Sequence, residues 1–192
     1  MELLINRNLI LAENQYLETE RLFLRPVSLA DAEDMFEYAS DAETVVFVFP
    51  QHQTLKETRE SIANYFLTAP LGKYGLELKE SGKMIGTIDL RVSEQNNTAE
   101  IGYTLNKHFW GQGLMPEAGR ELLRLGFEKL QLIRIFANHD IKNPQSGRVM
   151  AKLGMKVEGR ITNARTWKGQ AVTDILRGIT REEWRQLTQT QY

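Results

Sequence analysis

No cysteine occurs in the 192 residues. That absence excludes disulfides, thiolate metal sites and any acyl-cysteine intermediate. Histidine is scarce: His52, His108 and His139 are scattered without metal-ligand spacing, so no metal is expected. No apolar run approaches the roughly 20 residues that a bilayer-spanning helix needs. The opening Met1-Glu2-Leu3-Leu4-Ile5-Asn6-Arg7 has an early acid and no apolar stretch of secretory length, so a cytoplasmic protein off the membrane is expected. Net charge is only −1, which argues against general nucleic-acid binding. Two phosphate-loop signatures are also missing. No G-x-x-x-x-G-K-[ST] occurs, and the dinucleotide pattern fails because Pro116 stands where its third glycine belongs.

What is present fits one ordinary domain, with 42% hydrophobic and 26% charged residues. Residues 1–18 have weak periodicity and read as an N-terminal extension; residues 19–192 read as a single domain. Charge is uneven, with 9 Lys/Arg against 16 Asp/Glu in residues 1–99 and 10 against 5 in residues 140–192. A basic end suits an anionic cofactor and an acidic end a cationic substrate; two solvated faces would give the same pattern.

Arg21-Leu22-Phe23-Leu24-Arg25-Pro26 alternates like a strand and stops at proline. Ser28, with Asp31 three residues on, has the pattern of a helix start, and Thr54 opens a second helix. Strands are predicted over 74–78, 84–92 and 99–105, with turns at Glu80-Ser81-Gly82-Lys83 and Asn96-Asn97. A helix over about 116–129 and a strand over 132–138 follow. Next come a helix over 144–153 closed by Gly154, strands over 155–162 and 172–180, and a short helix over 182–187. This order predicts an α/β (α+β) fold: a mixed, mostly antiparallel central sheet flanked by helices on both faces.

Two segments carry chemistry. In the first, strand residues Tyr103-Thr104-Leu105 lead through Trp110-Gly111-Gln112-Gly113-Leu114-Met115 into a helix containing Pro116. Helix starts leave N–H groups unpaired and carry partial positive charge, and glycine lets an oxyanion approach the backbone. Pro116 has no N–H, so the donors are expected at Gln112 through Met115. A plain strand-to-helix connection with two turn glycines is the alternative. The second segment, Asn138 to Met155, again runs strand, polar loop, helix and glycine stop, with Asn143 and Ser146 three apart at the helix start. An N-cap with a polar follower explains that spacing equally well.

Glu100-Ile101-Gly102-Tyr103 before Trp110-Gly111-Gln112-Gly113, and then Asn143-Pro144-Gln145-Ser146 before Lys152-Leu153-Gly154, resembles the GNAT superfamily of N-acetyltransferases. Its Rim-type branch, the ribosomal-protein N-acetyltransferases, is the most similar, and the resemblance covers about residues 19 to 186. Glu20 to Pro26 and Asp174 belong to it as well. It implies the acyl-CoA N-acyltransferase fold, acetyl-CoA as donor, and a possible homodimer. It also implies roles for single residues. Gln112, Gly113, Leu114 and Met115 would hold the CoA diphosphate through backbone N–H groups, with Gly113 at the family's fixed glycine and Met115 replacing a small residue. Tyr103, Thr104 and Leu105 would pair with the pantetheine arm. Asn143 and Ser146 would face the pantetheine and the thioester sulfur.

Acetyl transfer to an amine needs a deprotonated amine, a stabilised thioester oxygen and a protonated leaving thiolate. Glu100 is the first candidate base, acting through a water, and Ser146 the candidate thiolate partner. Glu100 also suits a strand carboxylate paired with a neighbour, and Ser146 a helix-start hydroxyl. In Rim-type relatives a further carboxylate acts at a position that aligns here with Arg165. The expected activity is direct transfer of acetyl to a primary amine, either a protein N-terminus or a small molecule, in a ternary complex. The alternative, motivated by Met115, is a non-catalytic acyl-CoA sensor or interaction module.

Overall fold

A computed structural model describes residues 5–189. Helix α1 (Arg7–Glu13) precedes strands β1 (Leu17–Glu18) and β2 (Leu22–Arg25). Helices α2 (Ala32–Ala39), α3 (Ala42–Val45) and α4 (Leu55–Ser61) follow, then strands β3 (Lys73–Leu78), β4 (Met84–Ser93) and β5 (Thr98–Leu105). Helix α5 (Leu114–Arg124) leads to β6 (Arg134–Asp140) and α6 (Pro144–Lys152). The hairpin β7 (Lys156–Trp167) and β8 (Gln170–Thr180) and helix α7 (Arg181–Gln189) complete the described chain.

The strands form a mixed sheet in the order β1-β2-β3-β4-β5-β6-β8-β7. Pairs β1–β2, β2–β3, β3–β4, β6–β8 and β7–β8 are antiparallel, and β5–β6 is parallel. A parallel pair requires a crossover, and the chain between β5 and β6 contains α5. The chain divides into two compact units, one of residues 1–90 with 102–122, the other of 91–101 with 123–192.

In the first unit Val27, Met35, Tyr38, Ile62, Phe66 and Met84 form a buried apolar cluster. The Ser28 hydroxyl accepts the Ala30 N–H and the Asp31 carboxylate accepts the Ser28 N–H, a reciprocal capping box where the sequence predicts one. Thr54 caps α4 by accepting the Glu57 N–H. The stretch read as an extension is built into this unit. Leu17 pairs with Leu24 across β1–β2, Leu11 is buried, and the Tyr74 hydroxyl donates to the Asn14 carbonyl at 2.8 Å.

In the second unit Leu125, Leu130, Leu132, Ile135, Ala137 and Ile179 are buried, and the Phe127 and Trp184 rings lie 6.0 Å apart. The β7–β8 hairpin is longer than predicted: strand pairing runs on to Trp167↔Gln170. Its two loop residues, Lys168 and Gly169, have φ of 48° and 76°. That is the sign pattern of a type I′ turn, which usually carries Asn or Asp in the position Lys168 occupies. Asn163, with φ of 50°, lies in the irregularity between Ile161 and Arg165. The predicted strand therefore ends where the local pattern breaks, while the pairing continues.

Candidate active site

The loop after β5 is built from one buried side chain. Asn106 is 1% exposed; its N–H donates to the Ile85 carbonyl and its side-chain amide to Glu37. Its side-chain carbonyl accepts the His108 N–H and so starts a single 3-10 turn over Lys107–Phe109. The Trp110 indole N–H then donates to the Leu105 carbonyl at 2.7 Å, tying the loop back to the strand end.

Gly111 and Gly113 follow with φ of 76° and 79°, values that side-chain-bearing residues adopt at a cost. Space inside the protein does not demand glycine here. A Cβ on Gly111 would meet nothing within 4 Å, and one on Gly113 only the Arg21 guanidinium, at 3.7 Å. The need is conformational. Helix α5 begins at Leu114, two residues before the predicted start, because Pro116 is tolerated anywhere in a first turn that bonds no N–H. The first backbone bond into the helix is from the Glu117 N–H to the Gly113 carbonyl. The amides from Gly111 to Met115 make no hydrogen bond to the described residues. Five consecutive free N–H groups at a helix start form an anion cradle. The Met115 side chain is 3% exposed, so it belongs to the core and leaves the loop uncrowded.

Three first-unit residues that sequence reasoning did not assign a role hold this loop. Arg21 donates from Nε to Glu117 Oε2 at 2.7 Å and from a terminal nitrogen to the Gln112 carbonyl at 3.0 Å. Thr19 and the Arg21 backbone N–H donate to Glu117 Oε1 at 2.6 and 2.8 Å. Burial alone would raise the Glu117 carboxyl, but these bonds outweigh it and hold it below its ordinary range. On the neighbouring strand, Gly86 admits the backbone of Thr104 and Leu105 at close range. Polar residues 96 to 98 positions apart in sequence left no local signal from which the Arg21–Glu117 brace could be read.

Tyr103 precedes Thr104 on β5 in the first unit, and the second unit holds Glu100, Asn143 and Ser146. Glu100 is the last residue in parallel register with β6, opposite Phe136. Its carboxylate lies 3.3 Å from the Arg91 guanidinium and is 36% exposed. Asn143 caps α6: its side-chain oxygen accepts the Ser146 N–H at 3.2 Å, and Pro144 takes the first helical position. Ser146 is thereby fixed in the first turn and is half-buried. The buried His139 ring donates from Nδ1 to the Asp140 carbonyl, since a carbonyl can only accept, and lies against Gly147 of α6. Arg165 pairs with the buried Asp174 through Nε at 3.0 Å, so the position that aligns with a family carboxylate instead neutralises one. Among the described residues no group of three or more His, Asp or Glu is placed to hold a metal ion, and no helix is long and apolar enough to cross a membrane.

Comparison with known proteins agrees with this geometry. A family profile described as an acetyltransferase (GNAT) domain matches residues 21–156. The uncharacterised N-acetyltransferase p20 of Bacillus licheniformis is 29% identical over 173 residues, covering 88% of this chain and 97% of that protein. The ribosomal-protein-serine acetyltransferase of Escherichia coli is 30% identical over 115 residues, 58% of this chain and 64% of that protein. A GNAT-family acetyltransferase structure from Bacillus anthracis superposes with a TM-score of 0.80 at 26% identity, covering 87% of this chain and 99% of the other. With the glycine-bearing cradle at a helix start and a matching profile over most of its length, the chain belongs to the GNAT family and is an acetyltransferase that takes its acetyl group from acetyl-CoA.

Proposed function

We propose that this acetyltransferase moves acetyl directly from acetyl-CoA to a primary amine, with both substrates bound together. The observation that carries this reading is the run of free amides from Gly111 to Met115, shaped by two glycines at positive φ. Gln112, Gly113, Leu114 and Met115 are assigned the CoA diphosphate. Tyr103, Thr104 and Leu105 are assigned the pantetheine arm, which would add to the strand as a further extended segment. Asn143 and Ser146 are assigned the pantetheine and the leaving sulfur. Direct transfer is favoured because no cysteine exists to carry an acyl group.

Acetyl-CoA supplies an activated acyl group and a stable thiolate leaving group. The protein supplies position and proton management. The amine nitrogen forms a bond to the carbonyl carbon as the carbon–sulfur bond breaks. Glu100, accessible enough for a bound water, takes the amine proton through that water; the Ser146 hydroxyl donates toward the departing sulfur. The acceptor is a protein N-terminal α-amine or a small amine, and the similarity to a ribosomal-protein-serine acetyltransferase favours the protein N-terminus. The reaction is assigned to the cytoplasm, and a homodimer is the expected assembly.

Replacing Gly113 with valine tests the cradle. The variant should bind acetyl-CoA at least tenfold more weakly, because a β-branched side chain at a φ of 79° strains the turn that sets the direction of the free amides. Unchanged affinity would reject the assignment. A panel of peptides and amines with thiol release as the readout identifies the acceptor. Initial rates varied in both substrates should give intersecting lines; parallel lines would exclude the ternary complex.

A further inference from the structure

We propose that Arg21, Glu117 and Thr19 form a positioning brace that orients the diphosphate cradle without touching the diphosphate. The inference rests on the cradle reading above and goes beyond it.

A problem of charge and one of geometry meet at this loop. Glu117 lies one turn into α5, four residues after Gly113, and an uncompensated carboxylate there would repel an incoming anion. Its two oxygens are instead fully engaged. Oε1 accepts the Thr19 hydroxyl at 2.6 Å and the Arg21 N–H at 2.8 Å, and Oε2 accepts Arg21 Nε at 2.7 Å, with a second guanidinium nitrogen also at 2.7 Å. The Glu117 side chain is only 14% exposed. The negative charge is therefore neutralised by the guanidinium that pairs with it.

The geometric problem is the direction of the peptide groups. A peptide plane that turns its carbonyl inward turns its N–H outward. The third guanidinium nitrogen donates to the Gln112 carbonyl at 3.0 Å, which draws that carbonyl toward the brace and leaves the following N–H, that of Gly113, pointing the other way. The same guanidinium thus silences an unfavourable carboxylate and sets the peptide plane at the centre of the cradle. Arg21 is itself anchored, since its carbonyl accepts the Lys79 N–H at 3.0 Å. Only the planar fork of arginine spans both acceptors at once.

The test is calorimetric binding of acetyl-CoA and of S-acetylpantetheine, which lacks the diphosphate, to the whole protein and its variants. Arg21→Gln and Arg21→Lys should each lower affinity for acetyl-CoA about tenfold, the order of one charge-assisted hydrogen bond, and leave S-acetylpantetheine unchanged. Glu117→Gln removes a negative charge near the anion site, so charge alone would tighten acetyl-CoA binding; the brace predicts weaker binding. Thr19→Val, nearly isosteric, should weaken it by a smaller factor and serves if Arg21 variants fail to fold. Equal losses for both ligands would reduce the brace to general stability and overturn the proposal. Tighter binding by Glu117→Gln would show that Arg21 meets the phosphate itself, which also overturns it. If Gly113→Val weakens acetyl-CoA while all brace variants bind normally, the cradle stands and the brace falls. If Gly113→Val binds normally, both fall together.

Discussion

The carbonyl oxygen of Thr104 lies where a side chain on Gly86 would have to go: a Cβ built there would sit 2.3 Å from that oxygen and 3.0 Å from the Leu105 Cα. Both obstructing atoms are backbone, so neither can swing aside as a flexible side chain would. Gly86→Ala must push the end of β5 away from β4, and overpacking of this kind costs about 1–3 kcal/mol. The strand residues displaced are those assigned to the pantetheine arm. The variant should unfold at lower urea and show a raised KM for acetyl-CoA. A normal urea midpoint combined with a normal KM would mean that the strand end yields freely.

The Asn143 side chain is the cap of α6, and its removal has a separable outcome. Asn143→Ala should cost about 1 kcal/mol of stability, the usual value of such a cap. Asn143→Asp keeps an oxygen for the Ser146 N–H and should keep most of the stability. If the assigned contact with the pantetheine uses the amide group, Asn143→Asp should nevertheless bind acetyl-CoA more weakly than the wild type. Denaturation and calorimetry on the two variants separate the capping role from the binding role.

Local chemistry explains why the sequence revealed some of this and not the rest. Caps at Ser28, Thr54 and Asn143 and the turn glycines at 111 and 113 are legible because each acts within four residues of its partner. A mixed, mostly antiparallel sheet followed from element order and resemblance, whereas its strand order and the parallel β5–β6 pair come from the structure alone. The Arg21–Glu117 brace, the Gly86 approach and the Arg165–Asp174 pair depend on tertiary contacts that no local pattern encodes. The predicted β7 and β8 strands are shorter than the observed ones because the register shifts between Ile161 and Arg165, around Asn163 at positive φ, and because Lys168 takes a turn conformation its residue type rarely signals. Met115, which stands where the family resemblance has a small residue, is accommodated by burial: the helix starts early enough to turn it into the core.

Glu183 should contribute to the acid unfolding. Its carboxylate accepts the Thr180 N–H and hydroxyl at the start of α7 and pairs with Lys156 at 2.7 Å. Lys156 first, and then the Thr180 N–H, lower its pKa from 4.5 to about 2. A carboxyl depressed in the folded state stabilises the fold above its unfolded value and loses that contribution as pH falls toward the folded one. The thermal midpoint should therefore decline as pH falls from 4.5 to about 2. Glu183→Gln should start lower at neutral pH and decline less over the same interval. Parallel curves for the two proteins would remove Glu183 from the acid limb.

Glu100 and Arg91 pose the sharpest choice about catalysis. A carboxylate 3.3 Å from a guanidinium on the adjacent strand is what a structural ion pair looks like, and exposed pairs of this kind contribute at most about 1 kcal/mol. A general base contributes on a different scale, roughly a hundredfold or more in rate. Glu100→Gln therefore distinguishes the two directly. As a base, its loss should lower kcat by about a hundredfold with acetyl-CoA affinity and the unfolding midpoint nearly unchanged, and the deficit should shrink at high pH, where more of the amine is already deprotonated. As a strand ion pair, its loss should leave kcat within about twofold, and Arg91→Gln should reproduce its small stability effect. The pH profile is decisive because losing an ion pair alone gives no reason for the rate to recover as the amine loses its proton.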